Sequence, residues 1–367
     1  MELMLWEDKL CAMVPFVMMF IMEGCTIALT ITAKSAMNGG MNQFVFVAYS
    51  NALSSVLLLS YSLMFHRDSF KKIFNLKLLS RFFLLGLTGI TIAQNLAFTG
   101  LSHSSPIVVC AMGLLLPSFQ FFLSLILRKT KLNISSRSTK IKVIGVIISI
   151  LGGFMVATYL GPSILHGPLF RPLILRGPRS FFVFISVTNE WMLGTSMLAA
   201  STFSVAVWSF IQVSTFTKFP DMMVIVTCYT IFGTIQTVFV DVIANGDLSA
   251  WKLKLDLELL IIVLTALFGT LIRSRVQAWC MSLNGPMYVA MFKPLGLFWA
   301  CLIGLSFFGS GLHYGSVIGT GIVAIGYLTV LRGVQEEAQK IQEDSKQTQP
   351  SDDLKAPLLP QEADELV

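Results

Sequence analysis

Ten apolar runs, each long enough to cross a bilayer, constrain this chain more than any other feature of it. A membrane-spanning α-helix needs about 20 predominantly apolar residues, and runs of that kind fall at 12–33, 44–65, 79–101, 106–127, 141–160, 192–216, 221–242, 258–281, 286–308 and 313–331. Turn punctuation separates many of them: Asn38-Gly39-Gly40, Phe219-Pro220, Asn245-Gly246 and Asn284-Gly285-Pro286. Of the 367 residues 54% are hydrophobic and 13% charged, a balance that does not fit a water-soluble domain of this length. The expected fold class is an all-α integral membrane protein with ten transmembrane helices. Near the start, Glu2, Glu7, Asp8 and Lys9 stand where a cleavable signal would carry a basic region, so the first run is expected to remain in the mature chain.

The formal net charge is +6, but the basic residues sit in short loops between apolar runs, which points to membrane orientation and not to nucleic acid. Arg67, Lys71, Lys72, Lys77 and Arg81 fall between the second and third runs, and Arg128, Lys129, Lys131, Arg137, Lys140 and Lys142 between the fourth and fifth. The positive-inside rule therefore places both loops and both termini in the cytosol. The six cysteines are scattered through apolar segments without metal-ligand spacing, and read as small core residues.

Two internal echoes divide the chain. Leu101-Ser102-His103-Ser104-Ser105-Pro106 is matched by Met281-Ser282-Leu283-Asn284-Gly285-Pro286, and Val143-Ile144-Gly145 by Val317-Ile318-Gly319. Two five-helix halves follow, and because five is odd the second half enters the membrane from the opposite side. The resulting plan is a cytosolic N-terminus (1–11), a first repeat (12–160), a non-cytosolic linker (161–190), a second repeat (191–332) and a disordered cytosolic tail (333–367). Inverted repeats are a recurrent architecture of secondary transporters, with the substrate site near mid-membrane where the halves meet.

Charged residues inside apolar runs are the candidates for that site, because such residues face a cavity or a partner. Glu23 lies near the middle of its run and cannot reach water, so it either holds a proton or faces a cation. Its two readings are a substrate or proton-coupling contact and a structural partner for an arginine. Arg273 and Gln277 are four apart and share a helix face, whereas Arg275 is rotated by about 200° from Arg273. Arg275 is close enough to the cytosolic end for its side chain to snorkel outward. Lys293 precedes Pro294, which frees a carbonyl and opens the helix there; Pro117 is the other candidate helix-opening residue. Asn95, Gln94, Gln120, Gln212 and Gln236 are uncharged polar residues in spans, each either an interhelical hydrogen bond or a cavity contact. Asn95 falls opposite Arg275 in the repeat. Trp208 and Trp279 either stack on substrate or pack. Three cations against one carboxylate suggest a visiting anion, since a spare buried cation is costly.

Trp191 with Gly194, Trp208-Ser209 with Gln212, Trp251, Gln277-Ala278-Trp279-Cys280, Gly285-Pro286 and Met291-Phe292-Lys293-Pro294-Leu295 together resemble the plant walls-are-thin-related, nodulin-like branch of the EamA transporters. The resemblance runs from residue 10 to 333 and places the chain in the drug/metabolite transporter superfamily. It implies ten helices in two EamA repeats, the plasma or vacuolar membrane, and proton-linked or facilitated movement of a small metabolite, amino acids being moved by some members. Thr130 and Ser310 stand where relatives often carry glutamate, and Ser274-Arg275 where they tend to have tyrosines.

No enzyme is expected. His66, His103, His166 and His313 lie in loops or at helix ends without a nucleophile or metal partner, and no glycine-rich phosphate loop is present. The sequence implies no cofactor and no metal. Expected partners are a small-molecule substrate, protons and the lipid bilayer; the oligomeric state is not legible. A receptor or scaffold built on the same fold is the rival reading, favoured by Thr130 and Ser310. The orientation is directly testable: a cysteine placed at Leu165 should react with an impermeant thiol reagent from the non-cytosolic side, and labelling from the cytosolic side alone would reverse the topology.

Overall fold

The structure, a computed structural model, describes residues 2–65, 75–127, 136–159, 161, 189–219, 221–245, 251, 257–284, 286–307 and 313–348. Every described element of length is helical, as a lipid environment requires: with no water to satisfy N–H and C=O groups, an open backbone is unaffordable. In chain order the helices are α1 (Glu2–Asn38), α2 (Gln43–Phe65), α3 (Leu76–Gly86), α4 (Ala93–His103), α5 (Pro106–Gly113), α6 (Leu116–Ile126), α7 (Arg137–Thr158) and α8 (Asn189–Phe216). The remainder are α9 (Met222–Asn245), α10 (Leu257–Leu267), α11 (Arg273–Asn284), α12 (Pro286–Met291), α13 (Leu295–Phe307) and α14 (Tyr314–Thr348). Many hydroxyl groups within spans are satisfied locally, for instance Thr26 Oγ1 donating to the Met22 carbonyl at 2.8 Å, one turn back.

Two kinds of interruption recur in the same order in each half. A π-turn at Leu87–Ile92 joins α3 to α4, and another at Phe268–Ile272 joins α10 to α11. After each, a proline opens a short helix, α5 at Pro106 and α12 at Pro286, which then breaks before continuing as α6 and α13. The π-turns carry Gly89 and Gly269, and Trp208 lies flat against the first, its Cδ1 at 2.4 Å from where a Gly89 Cβ would stand.

Among the described residues eight helices are long and apolar enough to span, or nine if the pair Arg275–Asn284 and Tyr288–Ile303, bent by 113°, makes one span. Eight or nine of the ten expected spans are thus found among the described residues. Two expected spans, 258–281 and 286–308, are not among the eight: the first contributes the shorter apolar helix Glu258–Leu267, and the second enters only through that bent pair. At the other end, α14 runs on to Thr348, past residue 333 where the polar tail was expected to begin. Side chains of the other half hold that extension: Lys142 bonds Glu337, and Arg137 lies 4.0 Å from Glu336. The 66–74 loop, most of 128–136, the 162–188 linker, Thr130, Ser310 and the tail beyond 348 fall outside the described residues.

The tightest packing is between α7 and α14, where backbones touch. A Cβ on Gly145 would stand 2.7 Å from the Val330 nitrogen and one on Gly152 2.7 Å from the Val323 nitrogen; the nearest carbonyls are those of Gly326 and Gly319 respectively. Small residues permit such approach, and van der Waals contact is the main attraction between helices in lipid. Elsewhere α2 meets α9 through hydroxyl pairs, Ser62 with Thr227 at 2.7 Å and Ser55 with Thr234 at 2.8 Å. Gly152→Val should therefore destabilise by about 1–3 kcal/mol through forced separation, read as a fall in the thermal midpoint of the detergent-purified protein. Ile150→Val, on the exposed side of the same helix at 55% exposure, should leave the midpoint unchanged; equal midpoints for both variants would mean this contact is not tight.

Candidate functional site

Two cavities lie side by side in the bundle. The first, about 720 Å³, is walled by α2, the first π-turn with α4, α8, α9, and the second π-turn with α11; Ser50, Asn51, Gln94, Tyr229 and Gln212 supply polar atoms. The second, about 650 Å³, lies among α5, α6, α7, α11, α12 and α14, and includes Pro117, Gln120, Lys293 and Tyr327. Trp208, Arg273 and Gln277 line both. These volumes are those of ligand sites, which run from about 300 to 1,000 Å³. A third space of about 120 Å³, lined by Thr26, Thr30, Phe46, Phe98 and again Arg273, continues toward the end of α1.

That end is shut. Ala33, Met41, Phe46, Val47, Ile261 and Ile262 form one buried apolar cluster there. The rings of Phe46 and Phe98 meet edge to face at 4.9 Å. Two polar contacts fasten the rim: the Tyr49 hydroxyl donates to the Trp251 carbonyl at 2.8 Å, and Lys34 Nζ donates to the Ser102 carbonyl at 2.5 Å. At the opposite end the second cavity reaches Lys142 and Glu337.

Glu23 is 4% exposed, and its partner is Lys293, not an arginine: Nζ to Oε1 is 2.8 Å. The lysine side chain is 33% exposed and the glutamate 6%, so the cation faces the cavity and the carboxylate stands behind it. Arg273, Cys110 and Tyr327 are the other titratable groups near enough to feel this pair. Lys293 is delivered by the break at Phe292–Pro294, where backbone bonds shorten to three-residue spans such as Gly296 N to the Lys293 carbonyl at 3.1 Å. Proline has no N–H to offer the Ala290 carbonyl four residues back. That carbonyl accepts from Lys293 N at 3.2 Å in the three-residue turn, and the Tyr327 hydroxyl donates to it as well, at 2.7 Å.

Arg273 and Gln277, one turn apart, face the cavities together. Among the described residues Arg273 makes no ion pair and no hydrogen bond. Arg275 points elsewhere: it is exposed and lies over the Tyr61 ring, 4.7 Å from its centre, bonded also to the Tyr61 hydroxyl. Trp279, 41% exposed, is also outside the cavity lining. Asn95 is buried with neither end of its amide bonded, and it too is absent from the lining, although its neighbour Gln94 accepts from Asn51 at 2.6 Å and reaches the first cavity. Gln236 bridges helices, accepting from Thr91 at 2.9 Å and donating to the Phe83 carbonyl at 3.1 Å. Sequence reasoning missed Tyr327, Tyr229, Ser50 and Asn51; a phenol or amide in an otherwise apolar run is the only signal they give.

No family model matches the chain. Relatives do: the chain is 44% identical, over 98% of both lengths, to WAT1-related protein At1g70260 of Arabidopsis thaliana. It is 44% identical to WAT1-related protein At1g60050 over 96% of each chain, and 33% identical to WAT1-related protein At5g40240 over 92% of this chain and 91% of that one, both from the same plant. One solved crystal structure superposes with a TM-score of 0.52 at 13% identity, covering 87% of this chain and 96% of its own, a likeness of fold alone. Near-full-length identity at this level, on a helical membrane fold, makes the chain a member of the WAT1-related family, the plant nodulin-like EamA transporters.

Proposed function

We propose that this transporter moves a small carboxylate-bearing metabolite by alternating access, the class to which amino acids belong. The observation that carries the reading is Arg273, a cation at the junction of the cavities with no counter-ion among the described residues. An unpaired charge in a low-dielectric interior is expensive, and an anion that visits it is stabilised in proportion. Gln277, one turn on, adds a hydrogen bond to the same group. A cavity shut at one end by the Phe46 cluster is what one arm of an alternating cycle requires; on the orientation read from Lys and Arg, its reach toward Lys142 and Glu337 faces the cytosol.

The two halves as inverted repeats are supported by two features. The π-turns, the prolines and the breaks come in one order in both. The Val-Ile-Gly echoes pair Gly145 with Gly319 and Gly152 with Gly326 in sequence, yet in space Gly145 meets Gly326 and Gly152 meets Gly319. That exchange is the signature of a contact lying on a two-fold axis, and an axis across antiparallel helices lies in the membrane plane. Ten spans in two sets of five follow from this plan.

Glu23 is the residue proposed to couple the cycle to a proton gradient, because its partner Lys293 lines the cavity. Reconstitution into liposomes with organic acids, amino acids and organic cations tests the main reading: carboxylate-bearing solutes should move and cations should not, whereas flux of none would favour a receptor built on the fold. Arg273→Gln should cut uptake of the acids at least about tenfold, the equivalent of 1.4 kcal/mol, with surface expression intact. Uptake unchanged by that substitution would remove Arg273 from the site. Glu23→Gln leaves Lys293 without its partner, a loss of about 3–5 kcal/mol when a buried pair is broken. In protein that still folds it should retain substrate exchange and lose uptake driven by a pH gradient; an unchanged pH profile would exclude Glu23 from coupling.

A further inference from the structure

Resting on that transport reading, we infer that the substrate is an organic anion with no ammonium group: a carboxylate held at Arg273 and Gln277, with an uncharged tail in the larger cavity. The charges that a ligand meets decide this. Among the described residues lining the larger cavity, Arg273 is the single charged side chain, and the remaining polar groups, such as Asn51, Gln94 and Gln212, are neutral. The smaller cavity offers Arg273, Lys293, Lys142 and Glu337. Its one carboxylate, Glu337, is bonded to Lys142.

Glu23 completes the argument. It is the carboxylate paired with a cavity-lining lysine, and the one a zwitterion entering there would use for its ammonium. It is turned away: 6% exposed behind a lysine that is 33% exposed, and joined to that lysine at 2.8 Å. An incoming ammonium would meet Lys293 and Arg273 first, both repelling, and would have to displace Lys293 to reach the acid. An ammonium without a counter-charge loses its hydration for nothing in return. A site that discriminates in this way uses a repulsive element against the wrong ligand as well as an attractive one for the right ligand. Most of the lining is apolar carbon, from Phe98, Ile90, Val205 and Val226, so the tail that fits carries more hydrocarbon than hydroxyl.

The competing arrangement is an ammonium held by carbonyl oxygens freed at the Phe292–Pro294 break. Paired substrates separate the two. In proteoliposomes of the unaltered protein, 2-hydroxy-4-methylpentanoate is compared with leucine and glycerate with serine; each pair shares a skeleton and differs only in hydroxyl against ammonium. The hydroxy acid of each pair should enter at least about tenfold faster, and 2-hydroxy-4-methylpentanoate faster than glycerate. The same ranking is expected for quenching of tryptophan fluorescence in the detergent-purified protein, since Trp208 lines both cavities. Leucine and serine moving as fast as their hydroxy counterparts would overturn the inference and leave carboxylate transport standing. Flux of none of the four, with no quenching by any, would overturn both.

Discussion

The contact between Glu23 and Lys293 is the one on which the centre of this molecule depends. A carboxylate near the middle of an apolar helix is tolerable only if a cation reaches it, because moving either charge alone out of water costs several kcal/mol. The cation arrives from the other half of the chain, on a turn that exists because Pro294 cannot continue the hydrogen-bond ladder. In that turn the Ala290 carbonyl accepts from Lys293 N at 3.2 Å and also from the Tyr327 hydroxyl of α14 at 2.7 Å. Next to the pair, Trp299 donates to the Phe20 carbonyl at 3.1 Å and lies so close over Gly24 that a Cβ there would be 2.8 Å from its ring. One ion pair, one proline, one phenol and one glycine thus fix α1 against α13 and hold α14 to α12.

Pairing Lys293 changes what the remaining charges do. Had the lysine been free, the cavity would hold two uncompensated cations, and a dianion would be its natural ligand. With Lys293 neutralised from behind, Arg273 alone carries net charge at the junction of the cavities, a setting for one carboxylate. The planar guanidinium suits that group, since its donors match carboxylate geometry two at a time. Arg275, two residues on, illustrates the alternative fate of an intramembrane cation: it turns outward and settles on the face of Tyr61.

The span pattern was legible because the bilayer imposes one rule on every stretch of chain, and hydropathy reports that rule directly. Helical period was enough to put Arg273 and Gln277 on one wall and Arg275 on another. What escaped the sequence were contacts between distant segments. Nothing near Glu23 announces Lys293, 270 positions away, and an arginine was an equally good candidate. The π-turns are silent as well: Leu-Thr-Gly-Ile-Thr-Ile contains no proline, and the seat of Trp208 against Gly89 belongs to tertiary packing. Asn95 and Arg275, expected to correspond in the repeat, stand in different surroundings, one buried off the two cavities and the other facing out. Helix continuing to Thr348 was missed because a polar composition alone argues for disorder, whereas Lys142 and Arg137 supply partners that no local reading contains.

Interruptions of regular helix cost hydrogen bonds, and a chain keeps them only where something is gained. Here they gather round the cavities: both π-turns contribute lining residues, and both proline-led helices break at cavity depth. Kinks in helices are the points at which segments reorient at least cost, since the ladder is already open there. On the inverted-repeat reading each half owns one π-turn and one break at matching depth, so a bend at one set is the mirror of a bend at the other. Unlocking Phe46, Tyr49 and Lys34 at the shut end and closing the end near Lys142 are then one motion seen from two sides, with α7 and α14, packed backbone to backbone on the symmetry axis, as the part that does not need to move.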